Sequence, residues 1–477
     1  MKKLVSLILA ITLSFSCLFG CSQVGSPSSS ISGAVSSDSN FASKSEMPIT
    51  LNFIAAKFVE TLAMEEYGVS AAQNYNAKLN TAWYTFGETR EKLILDKKSG
   101  AGEWDITYVD SKWVPEFAQL GLLTPIDDLL KMDGVDASSV NMDDFVDIHL
   151  QRQQYDGKTW TLPILAAYVT LAYRTDLFEN PEEQKNFKER YGYDLTVPEN
   201  YDQFMDISEF FTRQKGEMLC GEVLENDFYG TVHSNKKGDF LWHDYINYLV
   251  AFGADIIFDP DTMQVTWNSP ENVAAATYYK DLMKYQPPEN INMAGAEANA
   301  TFASGYCAME IEFLNRLASV VDADGSKVSG KVKYALPPSV SGVSGREHAF
   351  LVNTNGTGIY AGSKNQVQAF NLLNDILSTE GQKQMALNNV GYIPTRQSVW
   401  DDPEVQAAMP TVAEYANLVN EAEPYTFAHP QIPEYPQISD IAQASISNII
   451  SGGDVQQCLD DAQAKIEAIM TEAGYYK

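Results

Sequence analysis

The order of the first structural signals constrains this chain most. Residues 49–53 (Ile-Thr-Leu-Asn-Phe) alternate apolar and polar side chains, which predicts a strand with one buried face. Helical character follows over 57–67. An aromatic- and Thr-rich stretch at 80–86 predicts a second strand, 89–97 a second helix, and 105–109 a short buried strand after a turn at 99–102. Residues 113–121 suit a helix that Gly121 ends. Strand, helix and strand in this succession predict an α/β layer.

Further along, 155–163 reads as a hairpin leading into an extended segment, 169–173 as a strand, and 196–204 as a loop feeding a helix. Val367, Phe370, Leu373, Ile376 and Leu377 recur at helical spacing. So do Val455, Leu459, Ala462, Ile466 and Ile469. No repeat of solenoid period is visible. The chain from Met47 onward, about 430 residues, exceeds what one hydrophobic core supports, so two or three domains are expected.

The amino terminus has its own logic. Lys2 and Lys3 precede an apolar run over 4–15 that is long enough for a signal-peptide core and too short to span a membrane stably. Leu18-Phe19-Gly20-Cys21 then resembles the lipobox of bacterial lipoproteins, which implies lipidation at Cys21. Residues 21–46 are rich in Ser, Gly and Ala and cannot bury enough apolar surface to offset ordering entropy, so they read as a tether. A net charge of −30 disfavours nucleic acid and direct docking on anionic lipid. Cys220, Cys307 and Cys458 lack metal spacing and read as free thiols, with one disulfide plus a leftover thiol as the alternative.

Catalytic signatures are missing: there is no HExxH, GxSxG, P-loop or strand-linked GxGxxG. Asp322-Ala-Asp-Gly325 hints at a calcium loop but lacks the later ligands, so neither a metal nor a cofactor is expected. Glu310 and Glu312 share one strand face, yet nothing around them marks the acid–base pair a glycosidase needs. The positive signal is aromatic: 25 Tyr, 22 Phe and 7 Trp, several in loop-like segments. Sugars present apolar C–H faces for such rings and hydroxyl edges for Asp, Glu, Asn or Arg. Asp110 and Trp113 offer that chemistry just past a strand's carboxyl end, where α/β sheets bind ligands.

Four segments carry a family likeness. Residues 102–110 with Trp113 and 117–127 are one. Residues 155–158 with Pro163 and 171–177 are the second, 300–309 (ending Ala-Met) the third, and 391–396 (Gly-Tyr-Ile-Pro-Thr-Arg) the fourth. Together they resemble family 1 extracellular solute-binding proteins, the broad group of the maltose-binding protein. The resemblance implies a periplasmic-binding-protein-like α/β fold: two lobes, joined by three hinge crossings near 163–168, 309–313 and 352–360, closing on a ligand. The implied division is 1–20 signal, 21–46 tether, 47–163 and 314–354 first lobe, 164–313 and 355–477 second lobe. Carried residue by residue, the family's ligand positions fall on Asp110, Trp113, Tyr168, Trp242, His243, Tyr245, Glu312, Phe313, Asn315, Asn355, Thr357, Tyr392 and Arg396. Phe313 stands where many relatives have a Trp.

The expected function is capture of a sugar, oligosaccharide or polyol without catalysis and delivery to the permease subunits of an ABC importer, on the outer face of the membrane through a lipid anchor. The alternatives are capture of a peptide or polyamine, a secreted carbohydrate-active enzyme, and an adhesin, which would lack a deep cleft.

Overall fold

The computed structural model describes residues 47–476 except 322, 347, 410–417 and 419–424. The signal segment, Cys21, the tether and Asp322 of the calcium-like turn lie outside the described residues.

The opening alternation is present. β1 (Ile49–Ala56) leads through α1 (Val59–Ala71) to β2 (Ala77–Tyr84), then through α2 (Phe86–Ser99) to β3 (Ile106–Asp110). β1 lies between β2 and β3 and runs parallel to both, so the carboxyl ends of the three strands share one edge. Thr85 fixes the start of α2. Its hydroxyl accepts from Glu88 N at 3.4 Å, and the Glu88 carboxylate accepts from Thr85 N at 2.9 Å, a reciprocal cap.

The remaining principal strands are β4 (Leu162–Arg174), β5 (Tyr229–Val232), β6 (Cys307–Phe313), β7 (Val332–Ala335) and β8 (Phe350–Tyr360). They complete a curled sheet of order β5-β6-β4-β8-β3-β1-β2, with β7 also on β4. β4 belongs to both halves. Residues from Leu162 to Tyr168 pair with β8, whereas Val169 to Arg174 pair with β6 and β7. The protein is thus two α/β lobes sharing long hinge strands.

Helices cover the faces: α3 (Asp239–Ala251), α4 (Gly295–Ala303), α5 (Leu314–Val321), α6 (Gln366–Ile376), α7 (Thr379–Asn388), α8 (Tyr435–Ile450) and α9 (Val455–Glu472). Their packing revises two expectations. The crossing expected at 309–313 does not occur: β6, buried at every position, sits between β4 and β5, and α5 folds back onto β4 and α4. The stretch assigned to the first lobe as 314–354 therefore begins in the second lobe, where β7 pairs with β4. Conversely the start of 355–477 belongs with the first lobe. β8 from Asn355 to Ile359 pairs with β3, and α6 and α7 pack on α1. The chain regains the second lobe before α8, which packs on α3 and α9. Cys220, Cys307 and Cys458 are free.

Candidate functional site

A cavity of about 570 Å³ opens where the carboxyl ends of β1, β2 and β3 face α3, α4 and α5. The first wall is made by strand ends. Lys57, Phe58 and Glu60 follow β1, Phe86 follows β2, and Tyr108 and Asp110 end β3. The opposite wall carries Asp239, Phe240 and His243 of α3, Asn299 of α4, Phe313 at the end of β6, and Asn315 and Arg316 of α5. Asn353 and Asn355 of β8 close the floor.

The carboxylates of the first wall already have partners. Asp110 Oδ1 accepts from Lys112 N at 3.0 Å, and the Asn353 amide reaches Asp110 Oδ2 at 3.5 Å. Asn355 Nδ2 donates to Glu60 Oε1 at 2.6 Å. Burial pushes the Glu60 carboxyl up to about 7; the hydrogen bonds from its own backbone and Asn355 and the charge of Arg316 lower it, while Asp110 raises it. Asp110 is raised too, by burial first, against the pull of Lys112. Buried Lys112 forms an ion pair with Asp239. Burial works against the Lys112 charge, but Asp239 and Asp110 outweigh it and raise its pKa.

The second wall is different. His243 is 3 % exposed and neither ring nitrogen has a partner. Burial, then the charges of Lys112, His429 and Arg316, hold it well below the ordinary imidazole range, so it is neutral. Asn315 Oδ1 is also buried without a partner, as is Asn355 Oδ1 on the floor. Arg316 lies over the rings of Phe240 at 4.3 Å and Phe313 at 5.0 Å, and its Nη1 is 3.5 Å from Glu312 Oε1. Aromatic faces thus alternate with donors and acceptors around one volume, an arrangement suited to a ligand with apolar faces and hydroxyl edges.

Of the residues expected from sequence, Asp110, His243, Phe313, Asn315 and Asn355 line this cavity. The others do not. The turn after β3 swings Trp113 back under the following helix, where its ring packs on Phe86 at 4.4 Å and Phe117 at 5.8 Å and is 2 % exposed. Tyr168 bonds His149 Nε2 at 3.0 Å. Trp242 donates to Tyr435 OH at 3.0 Å, and Tyr245 OH donates to Asn272. Glu312 supports Arg316 from behind, with its Oε1 also accepting from Phe313 N. Thr357 touches Met64, and Tyr392 is fully buried. Arg396 is spent on the carbonyls of Leu377, Asn141 and Val140 and the carboxylate of Asp144. On α3, Asp239, Phe240 and His243 face the cavity, whereas Trp242 and Tyr245 turn into the core.

Sequence reasoning missed Lys57, Phe58, Glu60, Phe86, Asp239, Phe240, Asn299, Arg316 and Asn353. For Phe86 a signal existed, since it ends a predicted strand at the edge where α/β sheets bind ligands; Glu60 fell within the predicted helix 57–67 and carried a weaker one. Asp239, Phe240 and Asn299 had none, because tertiary packing alone brings α3 and α4 to this edge.

The bacterial extracellular solute-binding protein family matches residues 55–383. A putative binding protein of Brucella abortus is 24% identical over 407 residues, covering 84% of this chain and 87% of its own. A ribitol-bound ABC transporter solute-binding protein from Agrobacterium radiobacter K84 has a TM-score of 0.74 at 24% identity, covering 88% of this chain and 98% of its own. The maltose-bound MalE3 of T. maritima has a TM-score of 0.72 at 20% identity, covering 88% of this chain and 100% of its own.

Proposed function

Because this chain belongs to the bacterial extracellular solute-binding protein family, we propose that it captures a sugar, oligosaccharide or polyol between its lobes and passes it unchanged to the permease subunits of an ABC importer. One observation carries the reading. The cavity between strand ends and α3–α5 combines the faces of Phe58, Phe86, Phe240 and Phe313 with the buried, unpartnered polar atoms of His243, Asn315 and Asn355. Unpartnered buried groups cost free energy until a ligand satisfies them, which favours a ligand rich in hydroxyls over an apolar one. The ribitol and maltose carried by two similar folds support the same class.

The ligand contacts in this reading are Asp110, His243, Phe313, Asn315 and Asn355 with Glu60, Phe86, Phe240, Arg316 and Asn353. Closure would tighten both walls, with ligand contacts to each lobe biasing the hinge. Anchoring at Cys21 would hold the protein at the outer face of the membrane; the charged start, apolar run and cysteine in that order support it. A calorimetric screen of ribitol, mannitol, maltose and maltotriose tests the function. One ligand should bind saturably at one site and be recovered chemically intact. No saturable binding by any sugar or polyol, with binding of a peptide or polyamine instead, overturns the assignment.

A further inference from the structure

A second cavity of about 470 Å³ shares no lining residue with the first. Arg152, Phe258, Arg346, Phe427, His429 and Gln431 are among the residues around it. Its charge is unusual for this chain. Among the described residues, seven of the eight arginines form an ion pair with a carboxylate. Arg152 does not, although the sequence carries a net charge of −30. Its Nε is buried without a hydrogen-bond partner. Burial lowers its pKa, the mark of a cation that has lost water without gaining a counter-charge. The neighbouring Arg346 is already compensated by Asp255 at 2.9 Å, so the uncompensated charge is that of Arg152.

His429 supplies the second observation. It is 2 % exposed, and its Nε2 has no partner. Trp242 Nε1 donates to Tyr435 OH at 3.0 Å, and that hydroxyl lies 2.9 Å from His429 Nδ1. Among the described residues Tyr435 OH has no other acceptor, so its proton goes to Nδ1, which leaves the His429 proton on Nε2 as a donor. Both ends of the Gln431 amide also lack partners. A guanidinium, an imidazole N–H and an amide therefore surround the cavity with nothing to donate to, and Phe258 and Phe427 supply apolar wall beside them.

We propose that this cavity is a second ligand site, for a small organic carboxylate with an apolar body, its carboxylate held by Arg152 and the His429 Nε2–H. The planar fork of a guanidinium matches a carboxylate, and the volume exceeds what a bare inorganic anion fills. Calorimetric titration of the full chain with sodium benzoate tests it, with sodium acetate and sodium phosphate as comparison probes. Benzoate should bind saturably, at least about ten-fold more tightly than acetate or phosphate. Arg152→Gln should weaken benzoate by at least about ten-fold, as expected for a lost hydrogen bond to a charged group, with circular dichroism and first-cavity sugar binding unchanged. Should that variant fail to fold, His429→Phe should also weaken benzoate binding. Absence of saturable benzoate binding, or undiminished affinity in a folded variant, overturns the proposal. So does equal binding of benzoate and phosphate, which would mean adventitious anion association.

Discussion

The two walls of the first cavity are built on opposite principles. On the strand-end wall, Asp110 and Glu60 are held by Lys112 N, Asn353 and Asn355, and their polar capacity is largely met from within. On the helical wall, His243 and Asn315 keep buried atoms unpartnered, while Arg316 lies between two phenyl rings. The carboxylates of the first wall are positioned by hydrogen bonds from within the protein. The second wall carries the unmet hydrogen-bonding capacity that a ligand completes. The difference teaches where affinity and stability separate: substitutions behind the first wall should cost folding, and those on the second should cost binding.

The sharpest test of that division is Trp113→Ala. Its ring supports Phe86 and Tyr108 from behind, at 4.4 and 6.0 Å, without reaching the cavity. Removing a buried Trp should cost roughly 3–5 kcal/mol of stability. Ligand affinity per folded molecule should hardly change. A large affinity loss with little change in unfolding free energy would put the ring at the ligand and dissolve the distinction.

Glu60 comes next, because its proton belongs to the folded state. Its carboxyl titrates near 7 when folded and near 4.5 when exposed. Between those values the native protein binds more protons than the unfolded chain, so stability falls as pH rises from about 4.5 to 7 and then levels. For that shift the whole step is about 3 kcal/mol. Glu60→Gln keeps an oxygen for Asn355 and removes the titration, so subtracting its stability curve from that of the unsubstituted protein should isolate this slope. Parallel curves across that window would mean that Glu60 is not buried as the first wall requires.

The same contrast explains what the sequence disclosed. The alternation over 49–53 and the spacing of Val367, Phe370 and Leu373 reflect local periodicities, and β1 and α6 formed where they predicted. Strand ends follow from strands, so Asp110 was accessible to reasoning. Trp113 was misplaced because one tight turn, Ser111–Trp113, decides which way its ring points. Arg396 matched a family turn, yet four acceptors from distant residues claim its guanidinium. Arg316 and Phe240, 76 positions apart in the chain, form their stack only through tertiary packing. The lobe boundaries failed for a related reason: β6 and α5 return to the sheet they came from, a choice fixed by long-range strand pairing.

On the helical wall, His243→Phe keeps the ring and removes both unpartnered nitrogens. If they meet ligand hydroxyls, affinity should fall by about 1–3 kcal/mol. Folding should be unaffected or slightly favoured, since no internal hydrogen bond is lost. A variant with reduced stability and unaltered affinity would show instead that the imidazole serves the core, beside Phe313 and His429.

The smallest effect is expected from the other cation at the cavity, Lys57. It sits on the first wall, exposed, with no ion pair among the described residues. Arg316, by contrast, is stacked between rings and tied to buried Glu312. A charge in water is screened within about 10 Å at 0.1 M salt, and its attraction to a neutral polyol is weak. Lys57→Met should therefore alter affinity by no more than about 0.5 kcal/mol, and added salt should erase what difference there is. Titrating the same ligand at low and high ionic strength separates the cases. A salt-resistant loss as large as that of His243→Phe would mean that Lys57 is drawn into the cavity on closure, and that the first wall, too, keeps capacity in reserve for its ligand.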